Sequence, residues 1–293
     1  FWALWAILGP LGHFGPFWAL WVILGPLGHF GPFWVLWAIL GPLGQFGPSG
    51  PFWDIMGKYT NLPVYKLLGG KVKDKIPAYA NGWYTVERDP NQFAEAAQRV
   101  VDKGYIGMKF DPFGNGDLEL TRKEFHKSMD LIDAVASVAG SKAQIMLELH
   151  GRFSPHQARE IANYVEKYEP AWLEEPTRPG DLPALKSVRQ HTRLPIATGE
   201  RLATKYEFSK ILQSKAASVL QMNLGRVGGI LEAKKIAGLA ETHYAQIAPH
   251  LYCGPIVGAA NIQISACCPN FLILEGVKEY SLMFAADAPL GNT

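Results

Sequence analysis

From Pro51 onward, short apolar runs alternate with longer stretches of mixed character. The runs at residues 76–80, 106–110, 145–149, 172–173, 196–197, 218–221, 246–248 and 271–274 read as strands. Between them, residues 91–103, 118–139, 154–167, 182–190, 206–213, 229–241 and 257–266 read as helices. Eight strands joined by seven helical connections predict an α/β fold of the (β/α)8 TIM-barrel type. The roughly 240 residues available match the usual size of one such barrel, about 250.

The polar residues that end these runs carry the candidate chemistry. Glu148, Glu174 and Glu200 lie at the ends of the third, fourth and fifth runs at equal intervals of 26 residues, the length of one strand plus one helix. In a parallel barrel, equivalent strand ends converge on the rim where reactions take place. Three carboxylates meeting there repel unless a cation neutralises them. Mg²⁺ suits an all-oxygen site that also keeps waters and accepts substrate oxygens. The competing reading has each acid cap a helix or pair with Arg152, Arg178 or Arg201; three acids in register favour the cation.

The polar positions continue at Asn223, His250 and Glu275, at intervals of 23, 27 and 25 residues, and Lys109 and Asp111 close the second run. Residues i and i+2 of a strand face the same way. Lys109 with Asp111, and Glu148 with His150, are therefore expected together in the barrel mouth, with Phe110 and Leu149 packed outward. Plainer readings stand beside these: Lys109 as an ion-pair partner of Asp111 or Glu148, Asp111 as a turn residue before Pro112, Glu275 as loop chemistry beside Gly276, and Cys253 as filler.

Residues 1–48 are three copies of a sixteen-residue unit that vary mainly by Ala/Val exchange and at His13, His29 and Gln45. Each apolar block runs about eight residues before Gly-Pro, against about 20 for a membrane helix. The basic start and continuous apolar core of a secretory signal are absent from it. Its six tryptophans leave interfacial membrane contact open. We read residues 1–50 as low-complexity sequence outside the fold, 51–76 as a connection, 77–275 as the barrel and 276–293 as a tail. A net charge of +2 with scattered basic residues argues against a nucleic-acid partner. Cys253, Cys267 and Cys268 show neither metal-ligand nor disulfide spacing, which suits a reducing cytoplasm.

Taken together, the strand-end residues and their flanking motifs resemble the mandelate racemase subgroup of the enolase superfamily, within the mandelate racemase/muconate lactonizing enzyme family. The resemblance runs from Trp53 to about Glu275. It is carried by Trp53-Asp54-Ile55-Met56-Gly57-Lys58, Leu62-Pro63-Val64-Tyr65-Lys66-Leu67-Leu68-Gly69-Gly70, Lys109-Phe110-Asp111-Pro112-Phe113-Gly114, the Glu-x-His at 148–150, Trp172-Leu173-Glu174-Glu175-Pro176, Gly199-Glu200-Arg201 and Ala248-Pro249-His250. It implies a (β/α)7β barrel behind a capping domain, of which residues 51–76 would be a remnant, the repeats standing where most of it would lie.

The chemistry implied is that of a galactonate/gluconate-type dehydratase, a hydro-lyase acting on an acid sugar, with Mg²⁺ as cofactor and a homo-oligomer as the assembly. Glu148, Glu174 and Glu200 match the metal ligands, and His150 the residue that protonates the departing 3-hydroxyl. His250 matches the base, with Asn223 where an aspartate normally orients it. Lys109 and Asp111 fill the family's Lys-x-Lys positions, so a second lysine is missing. Asp111 and Glu275 are expected to face the substrate. A racemase or epimerase of a 2-hydroxy acid, and an impaired barrel that keeps only scaffold and metal site, are the alternatives.

Overall fold

The structure is a computed structural model in which residues 49–277 are described, with side chains from Pro51. The repeats of residues 1–48, and residues 278–293, which make up most of the expected tail, lie outside the described residues. Two helices, α1 (Ser49–Thr60) and α2 (Val64–Leu67), precede a regular alternation. It runs β1 (Ala78–Asn81), α3 (Pro90–Asp102), β2 (Gly107–Phe110), α4 (Arg122–Ala139), β3 (Gln144–Glu148), α5 (Pro155–Val165), β4 (Leu173–Glu174) and α6 (Leu182–Gln190). It continues with β5 (Ile196–Thr198), α7 (Lys205–Ser214), β6 (Val219–Leu220), α8 (Ile230–Glu241), β7 (Gln246–Ile247), α9 (Pro255–Cys267) and β8 (Leu274–Val277).

All strand pairs are parallel and each strand lies beside its sequence neighbour, with β8 returning to β1 from Ala78 opposite Leu274 to Asn81 opposite Val277. The last strand differs from expectation: residues 271–274 were the predicted run, and the ladder begins only at Leu274. The reason is stagger. The N–H of Leu272 donates to the Ile247 carbonyl at 2.9 Å, so the first part of this segment meets β7 and the later part meets β1, as closure of tilted strands requires.

Alternation sorts the side chains into two layers. Tyr79, Met146, Trp172, Ala197, Val219, Ala248 and Ile273 fill the barrel interior. Phe110, Leu147 and Leu149 point the other way and pack with Phe93, Ile132, Ile161 and Phe208 from the helices. Several helices start on a polar cap. Asp89 accepts from the N–H groups of Asn91 and Gln92 at 3.0 and 3.1 Å at the head of α3, where Pro90 needs no donor partner. Asp89→Ala is expected to lower stability by about 1 kcal/mol in chemical denaturation, with cation binding unchanged. No helix among the described residues is long and apolar enough to cross a membrane.

Candidate metal centre and active site

Strands β3 and β4 end side by side, with Glu148 opposite Glu174, and Glu200 follows β5 after a turn. The turn needs Gly199: its φ is 132°, and a Cβ there would lie 2.7 Å from the Phe208 ring. One carboxylate oxygen from each of the three acids lies within 4.8 Å of the other two. Glu148 and Glu174 are buried, and Glu200 is partly so.

Each acid has defined partners. Glu148 Oε1 accepts the N–H of His150 at 2.7 Å, and Glu174 Oε2 accepts the indole N–H of Trp172 at 2.8 Å. Glu200 touches Arg201 and His250, each at 3.2 Å. Arg201 thus pairs as the competing sequence reading allowed, whereas Arg152 and Arg178 take Asp111 and Asp117 instead.

Lys109 rises from β2 into the middle of this group, 2% exposed. Its Nζ pairs with Glu174, with Glu275 at 2.9 Å and with Glu148 at 3.4 Å. Burial alone would lower its pKa, yet Glu174 and Glu275 hold it well above the ordinary lysine value. Glu275 is a barrel residue rather than loop chemistry. Its Oε1 accepts from Asn81 at 2.7 Å and its Oε2 from the N–H of Leu251 at 2.6 Å. Burial opposes its ionisation, but Lys109, His250 and the Leu251 N–H together bring its pKa down to about 2.

Two histidines flank the acids. His150, at φ 52°, places Nδ1 2.6 Å from Asp111 Oδ2, which also accepts from Arg152 at 2.6 Å. Asp111 Oδ1 accepts the N–H of Phe113 at 2.9 Å, so Asp111 is both a turn residue and the partner of His150, and both of its oxygens are engaged. His250 follows β7, with Nε2 on Glu200 and Nδ1 3.0 Å from Asn223 Nδ2. The Asn223 oxygen accepts the N–H of Gly225 at 2.9 Å, so the amide nitrogen, not the oxygen, meets the ring. Asn223 Nδ2 also reaches Cys253 Sγ at 2.9 Å.

Residues 92–289 match the family described as enolase C-terminal domain-like, more than half of the chain. The chain belongs to this family. Among relatives of this enolase-type barrel, a D-gluconate dehydratase of Thermoproteus tenax is 38% identical over 74% of the chain and 44% of the relative. A D-gluconate/D-galactonate dehydratase of Picrophilus torridus is 34% identical over 74% of the chain and 56% of the relative. The chain therefore spans about half the length of the curated relatives it matches. The crystal structure of a mandelate racemase/muconate lactonizing enzyme from Jannaschia sp. CCS1 superposes with a TM-score of 0.72 at 41% identity, covering 77% of this chain and 61% of that one.

The acids of the enolase-type barrel suit a hard divalent cation on their own chemistry. Burial and the neighbouring Glu148 raise the pKa of Glu174 well above the ordinary carboxylate value, and burial raises that of Glu148 despite Lys109. The cluster holds more negative charge than Lys109 balances, and its donors are all oxygens.

A further acid, Glu175, lies behind them. Burial pushes its pKa up to about 7 even though Thr198 Oγ1 and the N–H of Gly199 both donate to Oε1 at 2.8 Å. A carboxyl raised in this way binds its proton more tightly in the folded chain than in the unfolded one. In the metal-free chain Glu175 is therefore expected to contribute about 3 kcal/mol of stability that is lost as pH rises from about 4.5 to about 7. Glu175→Gln should flatten that slope in denaturation curves; an unchanged slope would remove Glu175 as its cause.

Sequence reasoning did not single out Asn81, Trp172 or Tyr79 as parts of the site. Trp172 was within reach, two residues before Glu174 on the same strand face. Asn81 ends β1, so the strand-end argument applied to the first strand would have found it. Tyr79, whose ring lies 5.6 Å from Lys109 Nζ, reads as an ordinary core aromatic.

Proposed function

We propose that this chain is the barrel of a Mg²⁺-dependent dehydratase of an acid sugar, an aldonate or aldarate. The observation that carries the reading is the convergence of Glu148, Glu174 and Glu200 between His150 and His250, both seated in hydrogen bonds. The names of the two sugar-acid dehydratases support it, as does the match to their family.

Glu148, Glu174 and Glu200 would hold the ion, which would supply positive charge to the substrate carboxylate as negative charge builds on it. An α-proton beside a carboxylate is a very weak acid, so charge stabilisation and a positioned base are both needed. Lys109, enclosed by three carboxylates, keeps positive charge at the barrel centre and sets the spacing of Glu148 and Glu174. Glu275 anchors Lys109 from the opposite side of the barrel. The histidines flank the place where a substrate would lie across the mouth, within reach of the groups that gain and lose protons. Racemisation would need a second free base opposite a histidine; Lys109 is committed to ion pairs and Asp111 stands where the second lysine would be. The cytoplasm suits three free cysteines.

Calorimetric titration of the full chain with Mg²⁺, followed by assay of D-gluconate and D-galactonate for a keto product and for α-deuterium exchange in D2O, tests the reading. Binding with product from either acid supports it. Binding with exchange but no product would favour an epimerase, and a folded chain that binds no Mg²⁺ would end the proposal.

A further inference from the structure

The resemblance gives proton abstraction to the histidine after the seventh strand and protonation of the leaving group to the histidine after the third. The hydrogen-bond directions around the two rings run the other way. We propose that His150, oriented by Asp111, both removes the α-proton and delivers it to the departing hydroxyl, while Asn223 fixes His250 as an Nε2–H hydrogen-bond donor. This assignment rests on the dehydratase reading above.

The argument for His250 begins at a backbone group. The N–H of Gly225 can only donate, it is buried, and it meets Asn223 Oδ1 at 2.9 Å. That bond fixes which end of the amide faces which neighbour. Asn223 Nδ2 must then face His250 Nδ1 at 3.0 Å, with Cys253 Sγ 2.9 Å away on the same nitrogen. An amide nitrogen has hydrogens to give and no lone pair to accept with. His250 Nδ1 is therefore the acceptor and the ring proton resides on Nε2, the nitrogen that points at Glu200 from 3.2 Å. Turning the amide over would set its NH2 against the Gly225 N–H and leave that buried donor unpaired.

The same reasoning gives His150 the opposite tautomer. Asp111 as a carboxylate only accepts, and its Oδ2 lies 2.6 Å from His150 Nδ1. Nδ1 therefore carries the hydrogen and Nε2 presents a lone pair. The side chain is 42% exposed, so the ring is accessible from outside the barrel. Arg152, bonded to the same Asp111 oxygen, holds the carboxylate in place.

The proton inventory closes with one base. The Nε2 lone pair of His150 takes the α-proton, and the C–H electron pair moves into the substrate carboxylate. When that pair returns to expel the C3–O bond, the new Nε2 proton of His150 goes to the leaving hydroxyl and water departs. The enol left behind takes a proton from solvent at C3 and releases its enol O–H proton to solvent, becoming the 2-keto-3-deoxy acid. His250 cannot serve as the acid, because a neutral imidazole that gave up its Nε2 proton would become an anion. It can polarise a substrate oxygen, as neutral histidines do elsewhere. Asp111 and Asn223 are positioning residues in this scheme. Base and acid acting from a single ring require the proton and the hydroxyl to leave from the same face of the substrate.

The test reads the rings directly. The full chain labelled with ¹⁵N-histidine, metal-free at pH 8, is examined by long-range ¹H–¹⁵N correlation, with His150→Gln and His250→Gln assigning the signals. The expected spectrum shows His250 protonated at Nε2 and His150 at Nδ1, and Asn223→Asp moves the His250 proton to Nδ1. A wild-type His250 protonated at Nδ1 overturns the proposal, whatever the variants do. In the Mg²⁺-loaded chain, His150→Gln should abolish α-deuterium exchange while His250→Gln slows it; the reverse pattern also overturns the proposal. If no acid sugar reacts at all, the dehydratase reading fails while the tautomers are still decided by the spectra.

Discussion

Glu174→Gln is expected to weaken Mg²⁺ binding at least about 100-fold, the upper loss usual for removing a residue that merely supports a metal ligand, and to abolish turnover. Glu174 is the most enclosed of the three acids, and both of its oxygens are already spoken for. Oε1 faces Lys109 and Oε2 the Trp172 indole N–H. An amide has one oxygen for these two donors, so its NH2 must oppose one of them, and the formal charge that would attract the cation is gone. Calorimetry measures the affinity directly. Thermal denaturation gives an independent reading, since Mg²⁺ at about 100 times the wild-type Kd should add about 2.7 kcal/mol to the wild type and at most about 0.4 kcal/mol to the variant. Unchanged affinity would move the metal away from this cluster.

His150→Asn should lower turnover by about 10²–10⁴-fold while leaving Mg²⁺ affinity and stability near wild type. Asparagine suits the position on two counts. It tolerates a left-handed backbone such as the φ of 52° found here, and its side-chain nitrogen reaches about where Nδ1 lies, so the bond to Asp111 can be kept. Only the Nε2 end of the ring is deleted. Asp111→Asn should cost on the order of 10⁴-fold, the loss seen where a carboxylate that orients a catalytic histidine becomes an amide. Steady-state kinetics on D-gluconate and D-galactonate would show both effects in kcat. A variant that instead lost Mg²⁺ binding would make the His150 side chain a support for the metal site rather than a group that moves protons.

The barrel and its acidic rim were legible because their signals are local and periodic. Apolar runs at near-constant spacing predict strands, and a strand's last inward residue is fixed by alternation, so Glu148 and Glu174 could be set side by side from numbering alone. Phe110 and Leu149 face the helices for the same reason. What escaped depends on contacts between distant segments. The first strand was read one step short of Asn81, whose partner Glu275 lies 194 residues away. The eighth strand was placed three residues early because the stagger that closes a barrel leaves no mark on the apolar pattern. The direction of the Asn223 amide was beyond sequence altogether: it is set by one backbone N–H two residues along, and composition carries no information on which end of an amide meets it.

The staggered last strand bears on how the molecule assembles. Ala78 pairs with Leu274 across nearly the whole described chain, so sealing the ring demands one of the longest loop closures among the described residues and gains its ladder bonds last. Glu148, Glu174 and Glu200, in contrast, come from β3, β4 and the turn after β5, strands that pair in sequence order over short separations. An open sheet emerging early in folding already carries all three acids, before Lys109 gains Glu275 and before His250 arrives. The three acids can therefore come together before the ring closes, so the proposed cation site does not wait on the final strand.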